Sequence, residues 1–221
     1  MDLVKLWTVC SSNNVVLSLE QLNSLERYHN ELKYWNSKVN LISRKDEDNI
    51  FERHILHSLA IVKYVDFPHK SKVLDIGTGG GLPGIPVKIA NPEIDLLMVD
   101  SINKKVKITK MFAQHTGLRK IDAVWARAES LSENQEYRRN FNFVLSRAVA
   151  KTEIIIGWIG RIIKPGAKIV LLKGGDLSEE ISASKNLYPN LDIKEIQIDF
   201  IGVPYFKEEG KKILICTFEK D

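Results

Sequence analysis

Residues 75–84 read Asp75-Ile76-Gly77-Thr78-Gly79-Gly80-Gly81-Leu82-Pro83-Gly84. This segment follows a short β-branched run and precedes a helical pattern, and its glycines let a ligand lie against bare backbone at a helix start. The spacing Gly79-x-Gly81-x-x-Gly84 also fits dinucleotide-binding loops, so the glycines alone do not identify the ligand. They do predict an α/β fold with a binding site at the carboxyl edge of its sheet.

From residue 72 onward, short β-branched runs alternate with helical stretches, which indicates a parallel sheet covered on both faces. The predicted strands span residues 72–76, 94–100, 121–126, 141–146 and 168–173, and the predicted helices lie near 84–90, 102–116, 152–163 and 176–187. Two further strands, 191–201 and 211–219, have no crossover helix between them, so we expect an antiparallel pair. This doubly wound, seven-stranded pattern fits the class I methyltransferase arrangement better than a dehydrogenase, which normally continues into a substrate domain.

The residues before the sheet are predicted to form helices. Ser18 and Gln21 have the spacing of a capping box, and the apolar residues that follow recur at helical intervals, which predicts a helix of about five turns. A second helix is predicted to begin near Asp46 or Asp48. We therefore divide the chain into an N-terminal helical extension, residues 1–66, and a Rossmann-like core, residues 67–221, within one structural domain.

Basic side chains are concentrated in the middle of the chain. The sequence has 221 residues, is 44% hydrophobic and carries a net charge of +4. Residues 100–173 hold 15 basic and 6 acidic side chains, whereas the residues on either side are acidic on balance. This distribution favours a polyanionic partner, and a solvated surface is the alternative.

The sequence also argues against a membrane protein, a disulfide framework and a metal site. It has no run of 18 apolar residues and no signal-peptide pattern, so we expect a soluble, cytoplasmic protein. Cys10 and Cys216 stand in no Cys-x-x-Cys spacing. His54 and His57 share a helix face, but no third ligand is placed beside them, so no metal site is predicted.

Acidic residues at the ends of the predicted strands favour one cofactor. Asp75 places a carboxylate where it suits the ammonium group of S-adenosylmethionine and opposes the pyrophosphate of NAD. Asp100 ends the second strand, where a carboxylate accepts the ribose hydroxyls of either cofactor. Ala128 and Glu129 follow the third strand and can meet an adenine edge. S-adenosylmethionine is therefore expected, and its predicted contacts also include the loop glycines Gly77, Gly79 and Gly81.

The segment after the fourth strand bears on the methyl acceptor. It reads Ser146-Arg147-Ala148-Val149, without the Asn- or Asp-Pro-Pro-Tyr motif for exocyclic amines, and no cysteine is predicted there to attack a cytosine. Guanine N7 has a free lone pair, so its methylation needs orientation rather than a general base. Arg147 is the first candidate for a substrate-side role, because its planar fork matches a guanine edge or a phosphate. A structural pair with a carboxylate is the alternative.

Other basic side chains are predicted near the same edge. Arg127 follows the third strand and Lys173 ends the fifth, so both are candidates for catalysis or for contacts with RNA phosphate. A solvated or ion-paired role is the alternative for each. The helix after Asp100 is predicted to track the RNA backbone through Lys104, Lys105, Lys107 and Lys110.

With these residues in hand, the chain resembles the RsmG (GidB) family of bacterial small-subunit ribosomal RNA guanine-N7 methyltransferases. The resemblance covers nearly the whole length, and the continuation Gly81-Leu82-Pro83-Gly84-Ile85-Pro86 is its most specific part. The other matching motifs are Trp35-Asn36-x-x-x-Asn40-Leu41, Glu52-Arg53-His54-Ile55-Leu56-x-Ser58-Leu59, Asp100-Ser101 with Lys104-Lys105, Arg127-Ala128-Glu129, Ser146-Arg147-Ala148 and Leu172-Lys173-Gly174.

This resemblance implies a function and a set of contacts. The acceptor would be a guanine of 16S ribosomal RNA near the decoding region, and the partner would be that RNA or the small ribosomal subunit. The implied cofactor contacts are Gly77, Leu82, Ala128, Glu129 and Arg147. His57 departs from the family pattern, since many members have Asp at this position. We expect a monomer.

Two other functions remain open at this point. A nicotinamide-dependent oxidoreductase would explain the glycine loop and Asp100, but it leaves Asp75 facing a pyrophosphate. An RNA-binding or ribosome-assembly protein with a vestigial cofactor pocket would explain the basic middle of the chain equally well. Methyl transfer separates this second alternative from an active enzyme.

Overall fold

The computed structural model describes residues 1–219, and these residues form a seven-stranded sheet with helices on both faces. Its strands are β1 (Lys72–Ile76), β2 (Asp95–Asp100), β3 (Ile121–Trp125), β4 (Phe141–Arg147), β5 (Ile163–Gly174), β6 (Leu191–Gln197) and β7 (Lys211–Phe218). They lie in the order β3-β2-β1-β4-β5-β7-β6, with β1 to β5 parallel and β7 antiparallel to both β5 and β6. The predicted doubly wound sheet with antiparallel C-terminal strands is confirmed.

Helices cover both faces of this sheet. They are α1 (Leu3–Ser12), α2 (Leu19–Asn36), α3 (His57–Tyr64), α4 (Gly84–Ala90), α5 (Asn103–His115), α6 (Thr152–Ile159), α7 (Ser178–Leu187) and α8 (Tyr205–Glu208). One hydrophobic core includes residues of α1 to α5, and the other includes residues of α6, with Ile181 of α7 packed against it. Val73 belongs to the first core and Leu74 to the second, because successive side chains of a strand point to opposite faces. Burial on both faces explains why the consecutive residues Val73 and Leu74 of β1 are both apolar.

The start of β5 differs from the prediction. The strand begins at Ile163 rather than at residue 168, and α6 ends at Ile159 rather than at residue 163. The pairing of β4 with β5 shifts register between Phe141 and Phe143. The turn signal of Pro165 and Gly166 therefore lies within an irregular part of the strand and does not precede it.

The link between β6 and β7 also differs from the prediction. β6 ends at Gln197 rather than at residue 201. The chain then turns at Gly202, which has a φ of +83°, and Phe200 pairs with Val203 across this turn. The helix α8 follows, and its 4 residues are too few to give a helical pattern in the sequence.

The helix α1 was not predicted from the sequence. Asp2 caps it by accepting a hydrogen bond from the backbone N–H of Lys5 (2.8 Å). After the helix, Asn13 exchanges hydrogen bonds with the backbone of Ile201, at 2.8 Å to its N–H and 3.2 Å to its carbonyl oxygen. These bonds join the N-terminal extension to the link between β6 and β7.

The N-terminal extension shares a hydrophobic core with the sheet. The capping box of Ser18 and Gln21 is present at the start of α2. The helix predicted near Asp46 or Asp48 is three consecutive segments: a 3-10 helix (Arg44–Asn49), a π-helix (Phe51–Leu56) and α3. The division at residue 66 stays a prediction. Among residues 1–219, no helix is long and apolar enough to span a bilayer.

Candidate active site

Asp75 lies beneath the glycine loop. Its Oδ2 accepts hydrogen bonds from the Thr78 hydroxyl (2.6 Å) and from the Gly84 N–H (3.0 Å). The carboxyl is fully buried, and this burial raises its pKa to about 7. Its Oδ1 has no hydrogen-bond partner within residues 1–219. The geometry makes Asp75 a residue that shapes the loop, and its direct contact with the cofactor ammonium stays a prediction.

Three other side chains hold the loop from different elements. The Tyr28 hydroxyl of α2 donates to the Gly80 carbonyl oxygen (2.9 Å), and the Thr109 hydroxyl of α5 donates to that of Gly79 (2.7 Å). Asp100 Oδ2 accepts from the Gly79 N–H (2.9 Å). The loop conformation therefore depends on the N-terminal extension as well as on the sheet.

Gly77 occupies a position that only glycine fits. Its φ is +64°, and an added Cβ would lie 2.3 Å from Cγ2 of Val149. The left-handed backbone conformation and the contact both disfavour a side chain here. Val149 thus approaches the bare backbone at the end of β1.

Two cavities open on either side of Gly77 at the carboxyl edge of the sheet. We call the first, about 540 Å³, the histidine cavity, because His54 and His57 line it. We call the second, about 320 Å³, the Val149 cavity after its lining residue. The residues that line both cavities are Gly77, Asp100 and Lys105. The two cavities therefore adjoin at the glycine loop.

A chain of polar contacts holds Arg147 in the histidine cavity. One guanidinium nitrogen of Arg147 donates to Nδ1 of His54 (2.9 Å), and Nε2 of His54 lies 3.5 Å from Oδ2 of Asp46. Asp46 Oδ1 in turn accepts a hydrogen bond from Arg53 (2.9 Å). Burial, and then the charge of Arg147, lower the pKa of His54 to about 3. The sequence left open a pair of Arg147 with a carboxylate, but the side chain that it contacts in the structure is the neutral His54.

His57 lines the same cavity and is also neutral. It is buried against the ring of Phe206, with 5.7 Å between ring centroids. Burial, followed by the charge of Arg147, holds its pKa well below the usual range. Its Nε2 finds no hydrogen-bond partner in the part of the chain that the structure describes. The family departure noted in the sequence thus falls on a residue of the candidate site.

The Val149 cavity combines apolar and acidic groups. Ile102 and Val149 are partly exposed within its lining, and Ala128 and Glu129 line it after β3. Asp100 reaches it from the end of β2, with Oδ1 accepting a hydrogen bond from the Ile102 N–H (2.9 Å). This set offers apolar surface for a flat ring and carboxylate acceptors for hydroxyls.

The structure brings most of the predicted site residues together. Those that line the histidine cavity are Gly77, Gly79, Leu82, Asp100, Lys105, Arg147 and Lys173. Those that line the Val149 cavity include Arg127, Ala128 and Glu129. Those that line neither cavity are Asp75, Gly81, Lys104, Lys107 and Lys110.

The basic side chains predicted to contact RNA differ in exposure and in the ion pairs that they form. Lys173 is held by Glu180, with 2.6 Å from Nζ to Oε1, and donates to the Ala150 carbonyl oxygen (2.8 Å). Lys110 pairs with Asp122 (2.7 Å). Arg127 pairs with Glu129 at a longer distance, 3.8 Å, and its side chain is 75% exposed. A polyanion can therefore displace the partner of Arg127 more easily than the largely buried partner of Lys173.

Sequence reasoning did not identify the part of the site that comes from the N-terminal extension. Asp46 and Ser43 line the histidine cavity, and so does Leu41. Asn36 orders this segment, since its Oδ1 accepts from the N–H groups of Leu41 (2.8 Å) and Ile42 (2.9 Å). The motif Trp35-Asn36-x-x-x-Asn40-Leu41 was the feature of the sequence that could have indicated this part of the site. Within residues 1–219, no group of three or more His, Cys, Asp or Glu side chains is arranged to hold a metal ion.

Comparisons with known proteins identify relatives of the chain. The family model GidB, described as rRNA small subunit methyltransferase G, matches residues 21–207. The ribosomal RNA small subunit methyltransferase G of Chlorobium phaeobacteroides is 41% identical over 179 residues, 81% of this chain and 78% of that protein. The protein of the same name from Chlorobaculum tepidum is 38% identical over 222 residues, 98% of this chain and 99% of that protein.

A solved structure gives the fold class. The crystal structure of a SAM-dependent methyltransferase from Aquifex aeolicus superposes with a TM-score of 0.54 at 12% identity, over 72% of this chain and 87% of that one. At this identity the likeness concerns the fold alone. The predicted class I methyltransferase fold is confirmed.

Proposed function

Because the chain belongs to the GidB family of rRNA small subunit methyltransferases, we propose that it transfers a methyl group from S-adenosylmethionine to N7 of a guanine in 16S ribosomal RNA. One observation carries the choice of acceptor: Arg147 lies beside the glycine loop in the histidine cavity, and the lowered pKa of both His54 and His57 makes these two side chains weak bases for a deprotonation. Methylation of guanine N7 needs no deprotonation.

The Val149 cavity fits the nucleoside part of the cofactor. Asp100 can accept hydrogen bonds from ribose hydroxyls, because each of its oxygens uses one lone pair on the backbone and keeps another. Ala128 and Glu129 are positioned for an adenine edge, with Val149 against the ring. Gly77 lines both cavities, so the part of the cofactor that joins the two cavities would cross there. S-adenosylmethionine supplies the methyl group on its sulfonium sulfur.

The histidine cavity suits the acceptor guanine. The guanidinium of Arg147 keeps donors beyond the one bonded to His54, and its fork matches the O6 and N7 edge of guanine or a phosphate. Basic side chains outnumber acidic ones in the lining, where Arg53, Lys105 and Lys211 also contribute and Asp46 and Asp100 oppose them. Alignment of the acceptor lone pair with the methyl carbon is the main task of such a site.

The partner and the setting complete the proposal. The substrate class is ribosomal RNA, and we place the reaction on the small ribosomal subunit or its free RNA, in the cytoplasm, with the protein acting as a monomer. The basic residues 100–173 support a polyanionic partner. Sedimentation of the protein with and without RNA tests the oligomeric state.

The deciding experiment is methyl transfer from labelled S-adenosylmethionine to unmodified small-subunit particles and to their free RNA. The product is mapped by the strand cleavage that N7-methylguanine permits, and cleavage at a single guanine is the expected result. Arg147→Ala should reduce transfer far more than RNA binding, because one contact is a small part of a polyelectrolyte interface. Binding of cofactor and RNA without transfer would instead favour the ribosome-assembly alternative.

A further inference from the structure

An exposed tryptophan lies at the edge of the sheet beside the proposed site. Trp125 ends β3, the strand at the edge of the described sheet, and it is 62% exposed. Its indole Nε1 donates a hydrogen bond to the carbonyl oxygen of Ser101, 3.0 Å away, and Ser101 lines the Val149 cavity. The ring is thus tied to the rim of that cavity while much of its surface stays in solvent.

A single exposed apolar side chain needs no explanation by itself. The hydrogen bond to Ser101 makes Trp125 different, because it restricts the side-chain rotamers before any partner arrives. A partner that stacks on a ring held in this way loses less conformational entropy than one that must first order it. Its position also relates it to the proposed site, since Trp125 lies at the carboxyl edge of the sheet, where both cavities open.

Exposed basic side chains accompany the ring. Arg127 follows Trp125 by two residues, has an extended backbone and is exposed like Trp125. The helix α5, which packs on β3, carries Lys104 and Lys107 on its exposed surface. Neither lysine forms an ion pair within residues 1–219, and Arg127 is 75% exposed, with a single long contact of 3.8 Å to Glu129. A partner with a flat aromatic face and a negative charge matches this arrangement, and a nucleotide has both.

We propose that Trp125 is a stacking platform for an unpaired base of the ribosomal RNA and that Arg127 binds the phosphate of the same strand. Trp125 lines neither cavity, so the stacked base is a neighbour of the acceptor guanine and not the acceptor. This inference rests on the proposed function, because it names a contact with the same RNA. The adjoining cations favour RNA over an apolar protein surface.

The test compares three substitutions of Trp125 with one of Trp7, an exposed tryptophan of α1 that lines neither cavity. Trp125→Ala should raise the KM for unmodified small-subunit RNA about tenfold, the effect of losing one stacked base. Trp125→Phe should restore most of the affinity, whereas Trp125→Leu should not, because leucine is apolar but cannot stack. The kcat at saturating RNA and the affinity for S-adenosylmethionine should stay unchanged. Trp7→Ala should behave as wild type in every measurement.

Two results would overturn the platform. One is a KM for Trp125→Ala within about twofold of that for Trp7→Ala, which is less than the loss of a stacked base. The other is equal rescue by Trp125→Leu and Trp125→Phe, which would indicate an apolar contact with protein or with a second copy of the chain.

A separate measurement keeps the platform testable if wild-type protein transfers no methyl group to any RNA. In that case the proposed function fails, and tryptophan fluorescence is titrated with single-stranded polyadenylate. Stacking on Trp125 predicts quenching that Trp125→Phe removes. Quenching of equal size in both proteins would rule out the platform independently of catalysis.

Discussion

The guanidinium of Arg147 donates a hydrogen bond to Nδ1 of His54 across 2.9 Å, and this contact joins the end of β4 to the N-terminal extension. Because a guanidinium can only donate, His54 must accept at Nδ1 and carry its proton on Nε2, toward Asp46. The histidine therefore fixes the direction of the arginine that we place beside the substrate.

Two substitutions of His54 should show whether activity depends on the hydrogen bond that its ring accepts or only on the volume of the side chain. We expect His54→Leu to lower kcat by roughly 10- to 100-fold, since a hydrogen bond to a charged group is worth about 1.5–3 kcal/mol. His54→Asn, whose side-chain oxygen can accept from Arg147, should retain more activity. Steady-state methyl transfer measures both, with the exposed His69→Leu as control. Equal activity of the Leu and Asn variants would contradict the positioning role.

Stability should fall in acid because of the same histidine. Its pKa is lowered from 6.5 to about 3 by burial and then by Arg147. Between these values the unfolded chain binds a proton at His54 that the folded protein does not, so the contribution of His54 to stability is complete above about pH 6.5 and is lost toward pH 3. We expect a loss on the order of a few kcal/mol.

Urea unfolding of wild type and His54→Leu across this pH window checks the prediction. Wild type should lose more unfolding free energy than the variant as the pH falls. His57 acts in the same direction, and Asp75, whose pKa is raised, acts in the opposite one. Both remain in the variant, so their contributions largely cancel in the comparison. Parallel curves for the two proteins would show that His54 is not responsible.

Substitutions of Asp75 can show whether cofactor binding depends on the charge of its carboxylate or on the hydrogen bonds that the side chain accepts. Its Oδ2 accepts two hydrogen bonds within the glycine loop, so Asp75→Ala should weaken S-adenosylmethionine binding at least about tenfold, given about 1 kcal/mol for each bond. Asp75→Asn keeps an acceptor oxygen and should bind nearly as wild type. Isothermal titration calorimetry measures both. If Asn binds as weakly as Ala, the carboxylate charge itself contacts the ammonium.

Gly77 should not tolerate a side chain. Gly77→Ala combines a left-handed φ with a Cβ 2.3 Å from Val149, whereas Gly117→Ala has a φ of +69° and open space around it. The control should lose about 1–2 kcal/mol of unfolding free energy because of its left-handed backbone, and Gly77→Ala should lose about 1–3 kcal/mol more. Combining Gly77→Ala with Val149→Ala should remove most of that difference. Urea denaturation measures the unfolding free energy of all three variants. Equal losses for Gly77→Ala and Gly117→Ala would mean that the Val149 side chain moves aside at no cost.

Arg127 and Lys173 should differ in RNA binding. Arg127 has a long, exposed pair with Glu129, whereas Lys173 has a short, largely buried pair with Glu180. Arg127→Ala should therefore reduce the slope of log affinity against log salt by about one unit, and Lys173→Met should leave it unchanged. Filter binding from low to moderate salt gives both slopes. A change with Lys173→Met and none with Arg127→Ala would reverse the assignment.

The sheet was predictable because its elements are bounded by clear local signals. β1 and α4 have the predicted bounds, since the glycine loop stands between them. The start of β5 was predicted too late because Pro165 and Gly166 resemble a turn, and only the pairing with β4 shows that the strand continues through them. The helix α1 buries few residues, among them Leu6 and Cys10, which is too short a pattern to recognise.

The site was predictable where it depends on strand ends. Asp100 ends β2 and Arg147 ends β4, the parallel strands on either side of β1, and the carboxyl ends of such strands meet at one edge of the sheet. The roles of Asp46 and Tyr28 were not predictable, because they depend on how the extension packs over the loop. The pair of Lys173 with Glu180 joins β5 to α7 and has no signature in the sequence.

The bonds between Asn13 and Ile201 also bear on the synthesis of the protein. The two residues are 188 positions apart. At about 5–20 residues per second, roughly 10–40 s pass between their appearance during translation. The helix α1 can pack against α2 and the π-helix early in that interval, but Asn13 must wait for the link between β6 and β7. The hydrogen bonds between the two ends of the chain therefore form only after most of the protein has been made.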